Sequence, residues 1–145
     1  MTENRLSDYL EHMKQASTDA CLFVEGMSKE EFIADKRTQQ AVIMNLIIIG
    51  EAAIRVMDNH VEFIASHAQI PWRNMRGMRN RVAHGYFDIN LDIVWDTVQV
   101  ELPKLQTQLS EIINELGIVC PRCKSIPCIC GDDGTSGGPK VGWTF

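Results

Sequence analysis

The stretch AVIMNLIIIGEAAIRVM, whose apolar part runs from Val42 to Met57, constrains this chain more than any other. A helix that is apolar almost all the way round must be covered on nearly every side, which predicts a central place in a bundle. Gly50 costs such a helix about 1 kcal/mol relative to alanine. The compensation expected for it is the close approach of a neighbouring helix. Glu51 and Arg55 stand four apart and read as a helix-face ion pair, and Asn45 reads as a polar core group satisfied locally. No unbroken apolar run approaches the roughly 18–20 residues of a membrane span; the longest, Leu46–Gly50, lies between Asn45 and Glu51. The opening MTENRLSDYLEHMK has no basic stretch followed by an apolar block, so neither a signal peptide nor membrane association is expected, and the expected location is the cytoplasm.

The rest of the first 117 residues repeats the three-four spacing, which makes the fold class all-α. Leu6, Tyr9, Leu10, Met13, Ala16, Ala20, Phe23 and Val24 form one stripe on a helix ending near Gly26. Ser28 and Glu31 have capping-box spacing for a short helix through Phe32 and Ile33. Asp35 is placed to cap the central helix. Val61–Ala68 reads as a short helix. Pro71 suits the start of another, running from Trp72 to His84 and stopping at Gly85. Tyr86–Asn90 is a connector whose Asn90 can cap a last helix from Leu91 to Leu116, closed by Gly117 and kinked at Pro103.

A chain of 145 residues is one domain with at most a short appendage, and 45% hydrophobic content excludes wholesale disorder. The helical domain is assigned to residues 1–117, a cysteine-rich segment to 118–131 and a glycine-rich, mobile tail to 132–145. Fourteen Lys and Arg against nineteen Asp and Glu, a formal charge of −5, exclude a generally basic nucleic-acid coat. One segment reverses that sign. PWRNMRGMRNRVAHGY, Pro71–Tyr86, carries Arg73, Arg76, Arg79 and Arg81 and has no Asp or Glu among its sixteen residues.

Guanidinium groups donate paired hydrogen bonds to two phosphate oxygens. A histidine can take a proton from a ribose 2′-hydroxyl or give one to a leaving oxygen. Together the two types can cleave RNA without a metal, leaving a cyclic phosphate; DNA lacks the hydroxyl required. Spacing alone does not select the pair, because Arg79 lies five positions before His84, about 140° round an ideal helix, whereas Asn80 and Arg81 lie nearer the His84 face. From the residues alone, the segment is a phosphate site or a solvated face.

Arg79-Asn-Arg-Val-Ala-His84-Gly-Tyr86 resembles the R-x4-H-x-Y signature of HepT-like toxins, a family of HEPN ribonucleases. Phe32 with Asp35, Arg37-Thr38, Ala41-Val42, Asn45-Leu46, Ile49–Ala53, Pro71-Trp72, Met78, Asp92 and Val94-Trp95 resemble it in order and spacing. The resemblance covers roughly residues 5–116. It implies an up-and-down bundle pairing as a homodimer, with two such segments facing one another. His84 would be the acid/base, Arg79 the phosphate clamp, and Asn80, Arg76 and Arg81 the supporting phosphate-binding residues. Tyr86 would be the tyrosine that a partner nucleotidyltransferase antitoxin modifies with AMP, although a tyrosine there can also simply pack the bundle end. The function implied is a metal-independent endoribonuclease toxin, with RNA as substrate and no catalytic cofactor. The competing reading is a non-catalytic module that binds nucleotide or docks a nucleotidyltransferase.

Outside the resemblance, Cys120, Cys123, Cys128 and Cys130 put four thiols in eleven residues. The C-x2-C and C-x-C pairs can supply four thiolates to a structural zinc; the alternative is reduced thiols in a tail. Cys21 falls on the buried stripe of the first helix and reads as core.

Overall fold

Side-chain caps fix where three of the described helices begin. The computed structural model describes residues 5–116. Helix α1 (Leu6–Phe23) is followed by a turn in which Gly26 takes φ +80°, a left-handed conformation that glycine adopts without strain. The Ser28 Oγ accepts from the Glu31 N–H at 3.1 Å and the Glu31 carboxylate accepts from the Ser28 N–H at 2.9 Å, so the capping box starts α2 (Lys29–Ile33) as expected. Asp35 accepts from the Thr38 hydroxyl at 2.8 Å and from the Thr38 N–H at 3.2 Å, opening α3 (Lys36–Asn59). Those two hydrogen bonds hold the Asp35 carboxyl below its usual range.

Helix α4 (Val61–Ser66) stops two residues short of the expected Ala68, and α5 (Trp72–His84) begins after Pro71 and ends at Gly85, as the sequence implied. The connector contains a single 3-10 turn, Tyr86–Asp88. Asn90 Oδ1 then accepts from the Asp92 and Ile93 N–H groups and caps α6 (Leu91–Asp96). A π-helical turn, Thr97–Glu101, joins α6 to α7 (Leu102–Leu116). It stands directly before Pro103, and its wider i→i−5 bonding, Leu102 N–H to Thr97 O, carries the helix into a residue that has no N–H to donate. Gly117, the four clustered cysteines and the glycine-rich tail lie outside the described residues.

Among the described residues the fold is an all-α bundle. Helix α3 packs on α1 and α5, and α1 packs on α7. The core comes from matched stripes: Leu10, Met13 and Ala20 of α1; Val42, Leu46, Ile49, Ala53 and Val56 of α3; Met75, Met78 and Val82 of α5; and Leu105, Leu109 and Ile112 of α7. Each fully buried large side chain contributes about 1.5–3 kcal/mol. The ion pairs bind at least one substantially exposed partner each and contribute far less. Phe32, with its ring centroid 5.3 Å from that of Trp95, ties α2 to α6. Although no unbroken apolar run is of spanning length, α3 taken as a whole helix is long and apolar enough to cross a membrane; here its apolar stripe is occupied by α1 and α5.

Candidate active site

The site is built where α5 crosses α3. A Cβ on Gly50 would overlap the Arg79 Cβ and stand 2.8 Å from the Met75 carbonyl oxygen, so only glycine permits this approach. The close contact expected of Gly50 is therefore real, and its neighbour is α5. One residue further along α3, the Glu51 carboxylate meets Arg79 Nη2 at 3.1 Å and Arg55 Nε at 3.3 Å. The expected Glu51–Arg55 pair is present, and Glu51 also anchors Arg79.

Arg79 is thereby fixed on the inner side of α5, half-buried. Its Nη1 donates to Asn80 Oδ1 at 2.9 Å. Asn80 lies four residues before His84, on the same face of the helix. The Asn80 bond therefore draws the guanidinium round α5 toward the His84 side. Two of its five N–H donors are engaged in these contacts, leaving others for a phosphate.

His84 is the last residue of α5 and is exposed. Among the described residues its side chain has no hydrogen-bond or ion-pair partner, nor do those of Arg73, Arg76 and Arg81. All four are exposed. Arg73, Arg76, Asn80 and His84 share one face of α5, with Arg81 at its edge. Within one copy of the chain Arg79 and His84 do not meet.

Tyr86 follows on the 3-10 turn, and its hydroxyl accepts from Gln40 Nε2 at 3.3 Å. Gln40 and Glu51 are eleven residues apart on α3, about 16 Å along its axis. The site is thus a strip along α3, with Arg79 at one end, Tyr86 at the other and His84 between them in sequence. Sequence reasoning missed Glu51 as the anchor of Arg79 and Gln40 as the partner of Tyr86. The signal for the first was Gly50: a tolerated glycine in a long helix marks a crossing, and the next polar residue is placed to meet whatever crosses there.

Asn45 donates to the Ala41 carbonyl at 3.0 Å, a local bond that leaves it in the core as expected. Cys21 is packed against the π turn, and burial pushes its thiol up to about 11, the behaviour of a core residue and not of a nucleophile. Among the described residues no cluster of three His, Cys, Asp or Glu side chains can hold a metal ion. The proposed zinc ligands Cys120, Cys123, Cys128 and Cys130 lie outside those residues.

The fold and site define an all-helical bundle with an arginine anchored at a helix crossing and an open histidine at a helix end. Residues 8–112 match the family described as "Ribonuclease HepT-like". The chain belongs to this family. It is 36% identical over 105 residues to the "Probable ribonuclease HepT" of Thermococcus cleftensis, covering 72% of this chain and 93% of that protein. A "Putative RNase" of Caldanaerobacter subterraneus subsp. tengcongensis is 37% identical over 107 residues, covering 74% of this chain and 93% of the relative. Another "Putative RNase", of Methanocaldococcus jannaschii, is 39% identical over 111 residues, with 77% and 86% covered. No solved structure matches the chain.

Proposed function

We propose that this protein is a metal-independent RNA endonuclease acting as the toxin of a toxin–antitoxin pair, with Arg79 and His84 as its catalytic residues. The observation that carries this reading is the division of labour on α5. Arg79 is held by Glu51 and Asn80, with donors to spare, while His84 stands open at the helix end beside unpaired arginines. His84 removes the ribose 2′-hydroxyl proton, the 2′-oxygen attacks the adjacent phosphorus, the bond from phosphorus to the 5′-oxygen breaks, and the leaving oxygen takes its proton from water. The products are a 2′,3′-cyclic phosphate and a 5′-hydroxyl. Arg79 binds the non-bridging oxygens and stabilises the charge that grows on them. Asn80, Arg76 and Arg81 position the strand. No catalytic cofactor is required, and a zinc bound by the four C-terminal cysteines would be structural.

The working form is a homodimer. Gln40, Met44, Ile48, Glu51 and Arg55 share one face of α3, and Met44 and Ile48 leave an exposed apolar pair beside the Arg79 anchor. A second copy seated there would cover these side chains and bring two α5 ends together. Tyr86, an exposed side chain at the end of the strip, is the residue a nucleotidyltransferase antitoxin would modify with AMP. The added phosphate would compete for the arginines and repel substrate.

The separation of Arg79 from His84 within one copy favours a second reading, a non-catalytic module that docks a nucleotidyltransferase. RNA incubated in excess EDTA with the protein and with folded His84→Ala, followed by end-group analysis, separates the two. The ribonuclease reading expects cyclic-phosphate ends from wild type and a loss of about 100-fold or more in the variant. Equal behaviour of the two proteins, with Tyr86 shown by mass spectrometry to be unmodified, would favour the docking module.

A further inference from the structure

We infer that Phe87 is a stacking platform for one unpaired nucleobase of the RNA, next to the phosphate handled by Arg79 and His84. This inference rests on the ribonuclease reading and specifies how its substrate is held. Phe87 is 98% exposed, more than any other large apolar side chain among the described residues.

The backbone that carries it is fixed. The Gly85 N–H donates to the Arg81 carbonyl at 2.8 Å and the Asp88 N–H donates to the Gly85 carbonyl at 2.9 Å, which close the turn on both sides of Phe87. The Phe87 ring stands edge-on to that of Tyr86, with centroids 6.0 Å apart and planes at 78°, and Tyr86 is itself tied to Gln40. An aromatic ring is thus presented to solvent from a pinned turn.

Its surroundings select the occupant. Phe87 ends the acid-free run from Pro71, which carries four arginines, and Asp88 is the first acidic residue after it. It stands three positions after His84, with Gly85 and Tyr86 between, so the two Cα atoms are at most about 11 Å apart by chain length alone. A cationic strip beside an open ring suits a polymer with anionic links and flat uncharged faces, the combination by which proteins hold single-stranded RNA. The chemistry asks for the same thing. In-line attack by a 2′-oxygen requires a nucleotide turned out of helical stacking, and a ring that accepts its base would hold it there.

The test uses RNA with 2′-O-methyl riboses, which cannot be cut by 2′-oxygen attack, and with the fluorescent base 2-aminopurine placed at each position in turn. Wild type should quench the probe at one position. Phe87→Ala should lose that quenching and bind roughly tenfold or more weakly, whereas Phe87→Trp retains both. An abasic nucleotide at that position should bring wild type and Phe87→Ala to equal affinity. Equal quenching by wild type and the alanine variant, or a difference that persists on abasic RNA, would overturn the inference. A fall in the solution mass of Phe87→Ala would overturn it in favour of a contact with a second copy. Cleavage of unmodified RNA in EDTA, read in parallel, keeps the two failures apart. Stacking without cleavage defeats only the ribonuclease reading, and cleavage without stacking defeats only this one.

Discussion

The α3–α5 crossing and the open end of α5 are a few residues apart and are built in opposite ways. At the crossing, Gly50 lets two backbones meet, Met75 and Met78 are buried, and Arg79 is held between Glu51 and Asn80. At the open end, Arg81, His84 and Phe87 are exposed, and among the described residues the first two have no side-chain partner. The crossing is complete within one copy of the chain. At the open end, among the described residues, the histidine side chain has no partner to orient it and the Phe87 ring is almost wholly exposed. Rigid anchoring suits a residue that must hold a phosphate at a fixed place. The groups left open are those that a substrate or second copy would complete.

Filling the crossing should have the largest effect. Gly50→Ala places a methyl group against the Met75 carbonyl, which is backbone and cannot swing away. The helices must separate, and overpacking of this kind costs about 1–3 kcal/mol, more than the helix propensity that alanine gains. Urea unfolding should show the loss, with a drop in RNA cleavage as Arg79 moves off the strip. Unchanged stability would mean that the two helices are not in contact there.

Glu51→Gln sharpens the comparison by removing the anchor while leaving the packing. Ion pairs between part-exposed side chains are worth about 0.2–1 kcal/mol, so the melting temperature should barely move. Cleavage should fall in kcat, by up to about 100-fold if the guanidinium shifts by an ångström. A variant with wild-type kcat would remove Glu51 from the account. At the other end of the strip, Tyr86→Phe loses only the 3.3 Å bond from Gln40 and should stay within about 0.5 kcal/mol of wild type. It should cleave RNA yet resist nucleotide transfer by a cognate nucleotidyltransferase, as read by mass spectrometry.

The smallest effect is expected far from both regions. Among the described residues one oxygen of Glu11 is buried without a hydrogen-bond partner, and burial raises its carboxyl above the usual range, against smaller opposing effects of Lys14 and His12. A raised carboxyl favours the folded state fully at low pH, and that contribution is lost as pH rises through the raised value. Glu11→Gln, neutral throughout, should therefore melt no lower than wild type at pH 7 and lack the part of the wild-type loss of stability that sets in as pH rises through the raised Glu11 value. A clear destabilisation at pH 7 would show that the Glu11 charge is compensated in the folded state.

The fold was legible in the sequence because its helix ends are set by local chemistry. Ser28 with Glu31, Asp35, Pro71, Gly85 and Asn90 each act on neighbours within four residues. The π turn before Pro103 was not legible, since its pattern gives only the defect and not how the backbone absorbs it. The candidate site was half legible. Arg79, Asn80, His84 and Tyr86 stand out as a motif, but the Glu51 anchor depends on which helix crosses at Gly50, a tertiary fact. Phe87 was not legible, because exposure in a connector leaves no periodic trace.

The central claim is that anchored Arg79 and open His84 work together although they diverge on one helix. Mixed dimers of Arg79→Ala and His84→Ala test it most directly, formed by unfolding and refolding the two inactive variants together. If the site is assembled between copies, the mixture should regain RNA cleavage in EDTA, because one of its two pairings keeps both residues. No activity in mixtures that light scattering and mass spectrometry show to contain the mixed dimer would contradict the account.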